Sequence, residues 1–430
     1  MKNSNRKSLN PAAIFNDADL AANLRVYNWV RVLQPRVFIP LTAVYWTQVG
    51  HLDLRQLGSL SVIAAIVSLL GNIPSGYFAD RRTRRAALIV GALLAATATI
   101  GMVLMQSYQG AILATSLDSL GYAFMSGSGQ ALIHDSLHAR GQTGQYVRIM
   151  GRAQSFAMTG NVVLVGVIPL SYGLDPRLPF LCGTIAYLGL VAMILRLHEP
   201  PRPERSASTA LAATPARRLV QSLRQFVNRR TVAFFIALGL ISALYTAPIP
   251  FINLAQVDLG LPSNFMGLLY ASGSIVAALG GWYLHYLRRL PLSGYALLDI
   301  LMLLLQPLVI GVTHNLWLAI AAFAITMGFW RFRNIVYQDH ILRYFDQHHD
   351  KATLISVMGF FADIQLLWLP LWFAHIMMVS GTFTGLVQVA MGSAVVMPIV
   401  LLGAIAIWQQ RLPSSRTFDT ATAAPSDTLG

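Results

Sequence analysis

Apolar stretches recur along the whole chain, and each is close to the 20 or so residues that a helix needs to cross a membrane. Only 11% of the 430 residues are charged, whereas a soluble protein carries about a quarter. The chain therefore lacks the polar surface of a soluble protein and is predicted to be an all-α membrane protein. The twelve predicted spans cover residues 27–49, 57–79, 86–106, 111–133, 152–171, 178–197, 231–251, 263–287, 294–312, 315–336, 353–377 and 383–408.

The basic residues are distributed unevenly between the loops. If the N-terminus is cytoplasmic, Arg55 and Arg177 are the only basic residues in the six outward loops. Cytoplasmic loops carry the excess of lysine and arginine, so this distribution predicts that both chain ends are cytoplasmic. The first 20 residues contain no apolar core of a secretory signal, which agrees with that orientation.

Two polar regions divide the apolar stretches into two blocks of six. Residues 198–230 include the proline-rich sequence HEPPRPERSASTALAATPARR, and the end of the chain is polar as well. The predicted organisation is a cytoplasmic segment over 1–26, six-helix bundles over 27–197 and 231–408, a cytoplasmic linker over 198–230 and a disordered cytoplasmic tail over 409–430.

Several functional classes are not supported by the residues. The formal net charge is +14, but the arginines punctuate apolar segments instead of forming the basic face of a nucleic-acid-binding protein. The chain has no Gly-x-x-x-x-Gly-Lys-Ser/Thr loop for ATP, and Cys182 is its only cysteine. No spacing predicts a metal site or a catalytic cluster. We expect no cofactor, no metal, no nucleic-acid partner and no enzymatic activity.

The sequence GYFADRRTRR at residues 76–85 carries much of the charge between the second and third spans. It resembles the loop signature of the major facilitator superfamily, roughly Gly-x-x-x-Asp-Arg-x-Gly-Arg-Arg. The matching residues are Gly76, Asp80, Arg81, Arg84 and Arg85. The sequences IPSGYFADR and SGSGQALIHDSL resemble bacterial efflux-type members. The resemblance implies a fold of two six-helix bundles, a location in the bacterial inner membrane and a monomer.

The motif predicts a conformational lock. Gly76 would remove a side chain where two helices approach, and Asp80 would accept hydrogen bonds from a neighbouring helix N-terminus. The resemblance gives Arg84 an acidic partner at the cytoplasmic end of the fourth helix, which here is Asp135. Such a lock would hold the outward-facing state and open as the two halves rock. The alternative is that the arginines of this loop only anchor the topology.

Four ionisable residues lie well away from the ends of the predicted spans or deep within them, where unpaired charges are costly. They are Arg36, Asp118, Arg331 and Asp363. The resemblance places the first, fourth, seventh and tenth helices around a central cavity, which brings the first three residues near a substrate. We expect Arg36 to pair with Asp118, either for transport or as a fixed structural pair. Arg331 and its neighbour Arg333 could instead be anchors that extend to the membrane surface.

Other polar and aromatic residues are weaker cavity candidates, since each could simply pack in the core. They are Asn28, Tyr45, Tyr245, Asn253 and Trp330. Asp363 could carry a proton or make a buried structural hydrogen bond. Asp299 lies near a predicted helix end, so we expect it at the membrane interface.

The chain is predicted to be a secondary transporter of a small organic molecule. Two arginines against one aspartate make the cavity positive, which favours an anionic or zwitterionic substrate. Proton-driven export with Asp118 as proton carrier is the first hypothesis. Antiporters of the family tend to have Gly-Pro within a glycine-rich run on the fifth helix, whereas Gly160, Gly166 and Pro169 are spaced apart here. This departure weakens the case for proton-coupled antiport. An importer of a nutrient or siderophore-like anion is the alternative, and a membrane enzyme or receptor is a third.

Overall fold

The computed structural model describes residues 15–34, 36–201, 229–282, 284–287, 289–344 and 351–409. All regular structure in these ranges is helical. The helices of the first half are α1 (Asp17–Leu33), α2 (Ile39–Gln48), α3 (Leu54–Arg81), α4 (Arg84–Leu104), α5 (Tyr108–Ser126), α6 (Ser128–Ala139), α7 (Tyr146–Val167) and α8 (Leu178–Ile194). A 3₁₀-helix, Ile168–Gly173, extends α7.

The second half follows the undescribed part of the linker. Its helices are α9 (Arg229–Thr246), α10 (Ile249–Asp258), α11 (Met266–Trp282), α12 (Leu284–Leu287), α13 (Leu292–Thr313), α14 (Leu316–Tyr344), α15 (Lys351–Gln365), α16 (Leu369–Ser380), α17 (Thr382–Met397) and α18 (Gly403–Gln409). The all-α prediction is confirmed. The predicted segment 1–26, linker 198–230 and tail 409–430 lie largely outside the described residues.

Nine helical stretches in the described part of the chain are long and apolar enough to cross a membrane. They coincide with nine of the predicted spans. The predicted first, fourth and sixth spans are not among the nine: the first is broken between α1 and α2, the fourth is divided between α5 and α6, and Leu178–Ile194 is apolar but has only 17 residues. The fold therefore agrees with twelve spans, while the number itself stays a prediction.

Side-chain caps fix where several helices begin. Asn16 and Asp19 form a reciprocal capping box at the start of α1, and Asp53 and Gln56 form another at the start of α3. Each box satisfies backbone N–H groups that have no partner within the helix. The first helix accordingly begins at Asp17, ten residues before the predicted span at 27.

The first and seventh spans are each broken into two helices. The first span is interrupted between α1 and α2, and the seventh is interrupted at Ala247–Pro248 between α9 and α10. Both second pieces begin with the same dipeptide, Ile39-Pro40 in α2 and Ile249-Pro250 in α10. Proline is favoured in the first turn of a helix and disfavoured inside one, so the dipeptide fits a restart after a break. Neither break was predicted from the sequence.

The two halves meet at the end of the helices that carries the arginine-poor loops. There α3 packs on α16, α7 on α11 and α2 on α10. A Cβ placed on Gly58 would lie 2.7 Å from the carbonyl oxygen of Pro370. A Cβ on Gly267 would overlap the carbonyl oxygen of Val165. Glycine is therefore required for the close approach of the halves on both sides of this end.

A buried ion pair corrects two expectations for the second half. Asp299 on α13 is completely buried, and its carboxylate accepts two hydrogen bonds from Arg333 Nε, at 2.8 and 2.7 Å. Tyr337 donates a third at 2.8 Å, and Ser242 on α9 accepts one from Arg333 at 2.8 Å. Asp299 was expected at the membrane interface, and an anchor that extends to the membrane surface was one of the alternatives for Arg333. The expectation for Asp299 is wrong and the anchor alternative for Arg333 does not hold, because the two groups neutralise each other inside the bundle.

Candidate functional site

A cavity of about 210 Å³ lies between the halves, beside the break in the first span. Residues of the first half line most of it, and α10 closes it from the second half. Of the eight predicted cavity residues, Arg36, Asp118 and Asn253 line this cavity. Its other walls are mostly apolar, formed by Phe38, Ile39, Ala43, Trp46, Leu57, Leu60, Ala64, Met102, Ile249 and Pro250, with the hydroxyls of Thr42, Ser61, Thr115 and Ser119.

Arg36 and Asp118 form an ion pair in this cavity. The distance from Arg36 Nε to Asp118 Oδ2 is 2.9 Å, and the guanidinium also donates to the Asp118 carbonyl at 3.2 Å. The guanidinium lies over the ring of Tyr122, one helical turn further along α5, at 4.6 Å. Arg36 follows the break after α1, so no helix restrains it locally. Its three contacts with α5 hold it in place.

Besides Arg36 Nε, which lies in the ion pair, two buried polar atoms of residues that line this cavity have no hydrogen-bond partner among the described residues. They are Oδ1 of Asp118 and the indole Nε1 of Trp46. Asp118 is 9% exposed and Trp46 is 1% exposed. A buried polar atom without a partner is costly, so each is a strong candidate to receive a ligand or a water molecule. Sequence reasoning missed Trp46 because an apolar span gives no signal that distinguishes it from core residues.

Asn253 joins the two halves at the cavity. Its amide Nδ2 donates to the carbonyl oxygen of Pro40 at 3.4 Å and to the Tyr270 hydroxyl at 3.0 Å. The pair of Pro40 and Asn253 therefore couples α2 to α10. Gln48 and Ser263 make a second polar contact between the halves, at 3.2 Å.

The remaining aromatic candidates occupy packing positions. Tyr45 is completely buried and donates to the carbonyl oxygen of Met102 at 2.9 Å. Tyr245 is 7% exposed and donates to the Asp299 carbonyl at 2.9 Å, so it belongs to the buried ion-pair network. Asn28 and Trp330 are partly buried and do not line the cavity. These placements favour the packing alternative.

Two predicted charges have no ionic partner within the described residues. Arg331 is exposed on α14, and Asp363 on α15 is partly buried. Neither lines the cavity. The structure thus separates Arg331 from the pair of Arg36 and Asp118 with which it was grouped.

A stripe of exposed polar residues continues from the cavity toward the arginine-rich end. Tyr122 lies one helical turn after Asp118 on α5, and Gln130 lies about three turns after Asp118 on α6. Both side chains are exposed. Ser155 and Thr159 are exposed one turn apart on α7. Polar groups facing lipid are unfavourable, so these positions fit a water-filled vestibule below the cavity.

The motif at residues 76–85 forms a charged cluster at the arginine-rich end. Arg84 contacts Asp80 at 2.9 Å and Asp135 at 3.6 Å. The structure therefore brings together the three residues of the predicted lock. All three lie on helices of the first half, so these two contacts alone do not join the halves. Arg81 lies over the ring of Tyr77 at 4.6 Å.

The expected role of Gly76 is wrong in this conformation. A Cβ placed there would meet no described atom within 4 Å. The close approach lies earlier on α3, at Gly71, where a Cβ would be 3.0 Å from Leu120. The N-terminus of α4, which begins at Arg84 within the motif, is bound by an acidic residue that was not predicted. The carboxylate of Glu199 accepts from the backbone N–H groups of Arg84 and Arg85, at 2.8 and 3.1 Å.

The segment that carries Glu199 is itself held by buried hydrogen bonds. The side chain of Asn23 accepts from the backbone N–H of His198 and donates to its carbonyl oxygen, both at 2.8 Å. Asn23 also donates to Ser136 on α6 at 3.1 Å. Arg85 donates to the Leu195 carbonyl at 2.6 Å. The end of α8 and the start of the linker are thus fixed to the start of α4, where Arg84 lies.

Replacing Glu199 by Ala should lower the free energy of unfolding by about 1 kcal/mol, because it leaves the first N–H groups of α4 without a partner. Thermal unfolding of the purified protein would measure the loss. Glu199→Gln keeps an acceptor oxygen and should lose less. Equal losses for both variants would contradict a capping role.

Comparisons with known proteins agree with the fold and the motif. The family model described as Major Facilitator Superfamily matches residues 29–364. The vesicular acetylcholine transporter of Torpedo torpedo is 30% identical over 166 residues, which cover 38% of this chain and 32% of that protein. An uncharacterised MFS-type transporter of Mycobacterium tuberculosis (strain H37Rv) is 26% identical over 245 residues, 56% of each chain. The chain thus spans between a third and just over half of these relatives.

Solved structures extend the similarity to nearly the whole chain at the level of fold. The nucleoside transporter NupG superposes with a TM-score of 0.73 at 14% identity, covering 91% of this chain and 99% of that one. A POT peptide transporter gives 0.66 at 14% identity, covering 90% and 94%. Together with the family match over most of the sequence, the helical fold and the motif of Arg84, these findings show that the chain is a multi-pass membrane protein of the Major Facilitator Superfamily.

Proposed function

We propose that the protein is a proton-coupled secondary transporter that exports a small organic anion or zwitterion by alternating access. The observation that carries the proposal is the ion pair of Arg36 and Asp118 in a cavity between the halves. An intramembrane charge pair is costly, and transporters place such pairs along substrate and proton pathways. The break of the first span beside Arg36 supports this, since transporters bind substrates at interrupted helices.

The packing of the halves supports alternating access. The described halves touch at the arginine-poor end through glycines, while a polar stripe leads from the cavity to the other end. In the proposed orientation the arginine-rich end is cytoplasmic, so this conformation is open to the cytoplasm. The chain ends and the linker over 198–230 are proposed to lie on that side, in the inner membrane of a bacterium.

Three residue groups have proposed roles in the cycle. Asp118 carries the proton, since protonation would release Arg36 from the ion pair. Asp363 is the second candidate carrier. Asp80, Arg84 and Asp135 stabilise the arginine-rich end of the first half as the halves rock, with Arg81 and Arg85 beside them. Each half supplies one wall of the path, so a monomer is proposed to be sufficient.

Reconstituted protein tests this function. Liposomes holding the protein with its arginine-rich end outward should accumulate substrate when a proton gradient, acidic inside, is imposed. Arg36→Ala should reduce accumulation of anionic and zwitterionic compounds at least tenfold relative to cationic ones. An unchanged preference would remove Arg36 from substrate recognition. Accumulation only with the gradient reversed, acidic outside, would indicate symport with protons and would support the alternative, an importer of a nutrient or siderophore-like anion.

A further inference from the structure

Two residues of the cavity lining carry a buried acceptor and a buried donor that nothing in the described protein satisfies. Asp118 uses Oδ2 for Arg36 and leaves Oδ1 without a partner. Trp46, which lines the same cavity, leaves its buried indole N–H without a partner. A carboxylate oxygen accepts strongly from N–H donors, above all charged ones. An indole N–H only donates. The missing partners are therefore one donor and one acceptor.

The charge balance of the cavity argues against a simple anion. The Arg36 guanidinium already makes two contacts with Asp118, and the ring of Tyr122 covers it. Arg331, the second predicted cation, does not line the cavity. The lining therefore has a formal charge of zero, with one positive and one negative group side by side. An added carboxylate alone would meet the unpartnered oxygen of Asp118, which repels it.

Size and wall chemistry restrict the rest of the ligand. The cavity volume, about 210 Å³, lies below the roughly 300–1,000 Å³ of sites for drug-sized ligands. Phe38, Leu57, Leu60, Met102 and Ile249 form apolar walls around the charge pair. A compact apolar body therefore fits beside the polar groups.

We infer that this cavity selects a small zwitterion with an apolar body. Its protonated amine donates to Asp118 Oδ1, and its carboxylate or carbonyl oxygen accepts from Trp46 Nε1. The inference rests on the proposed function in taking this cavity as the substrate site. It narrows the substrate class from anions and zwitterions to zwitterions whose nitrogen carries a hydrogen.

Calorimetric titration of the purified protein with three matched series tests this inference. The series are phenylalanine, leucine and tryptophan, each compared with its N,N,N-trimethyl betaine and with the carboxylate that lacks the amine. The betaine keeps both charges and loses every N–H donor. At least one amino acid should bind, and its betaine and carboxylate should each have a Kd at least tenfold higher. A betaine or carboxylate that binds as tightly as its amino acid, or a panel without any binder, would overturn the inference.

Variants locate the contacts. Asp118→Asn should raise the Kd of the amino acid at least tenfold, and Trp46→Phe should raise it severalfold. Ser116→Ala is the matched control on α5, since that hydroxyl already donates to Ile112 and does not line the cavity. Trp317→Phe is the control for tryptophan, because Trp317 is 77% exposed on α14. An unchanged Kd in Asp118→Asn and Trp46→Phe would place binding elsewhere.

Transport measured in parallel separates the two proposals. Uptake of other compounds by liposomes, with no amino acid binding, would sink this inference and leave the proposed function standing. Amino acid binding with the predicted selectivity, but without uptake of any compound, would sink the proposed function alone.

Discussion

Replacing Asp299 by asparagine is expected to destabilise the protein by about 3–5 kcal/mol, because it leaves a buried guanidinium without its counter-charge. Arg333 is 1% exposed and Asp299 is completely buried. The asparagine side chain fills nearly the same volume, so the loss would report charge and not packing. Unfolding of the protein by denaturant, followed through a spectroscopic probe placed in the second half, would measure the loss in the free energy of unfolding.

A double variant provides the control for this prediction. Apolar residues of similar size can replace a buried ion pair with little loss, since the cost of desolvating both charges disappears with them. Asp299→Leu combined with Arg333→Met should therefore recover much of the stability lost in Asp299→Asn. In the double variant the Tyr337 hydroxyl loses its acceptor, and the Ser242 hydroxyl loses the donor Arg333 while keeping its bond to the Leu238 carbonyl, so recovery would be incomplete. A loss below about 1 kcal/mol in Asp299→Asn would contradict the assignment of a buried, mutually dependent pair.

Replacing Gly58 by leucine is expected to prevent closure of the arginine-poor end and to abolish transport. A Cβ at this position would lie 2.7 Å from the Pro370 carbonyl oxygen and 3.0 Å from the Ala374 Cβ. Backbone on α16 cannot move aside without displacing the helix. Overpacking of this kind costs about 1–3 kcal/mol, which would shift the population of the closed state about 5- to 150-fold.

Spin labels on the two halves at the arginine-poor end would measure this shift as a longer distance. Gly189→Leu is the matched control, because a Cβ on Gly189 of α8 would meet no described atom within 4 Å. The control should transport normally and give the distance of the parent protein. An unchanged distance in Gly58→Leu would show that the contact with Pro370 does not hold the halves together.

The sequence was sufficient for the fold because the constraint is local and repeated. A stretch of 20 apolar residues must form a helix in lipid, where every backbone hydrogen bond has to be made internally. The breaks in the first and seventh spans could not be predicted with the same rule. Proline occurs in many transmembrane helices without ending them: Pro74 and Pro307 lie inside α3 and α13, whereas Pro250 begins α10. Packing of the surrounding helices decides between these outcomes.

Prediction of the site was limited by the lack of information on side-chain direction. Arg36 and Asp118 could be paired from their unusual charges alone, and the structure places them together at 2.9 Å. Arg333 and Asp299 could not be paired in this way, since depth along two helices does not reveal which faces meet. Trp46 and Glu199 were not predicted because their roles depend on a missing or distant hydrogen-bond partner, which no local pattern reveals.

The most direct test of alternating access is the side from which the cavity can be reached. Ser119→Cys, in a chain with Cys182→Ser, places one thiol on the cavity wall. In oriented vesicles, a membrane-impermeant thiol reagent should label this cysteine from the arginine-rich side. Adding Gly58→Leu should move labelling to the arginine-poor side. Labelling from the same side in both proteins would contradict a cavity that the two halves open alternately.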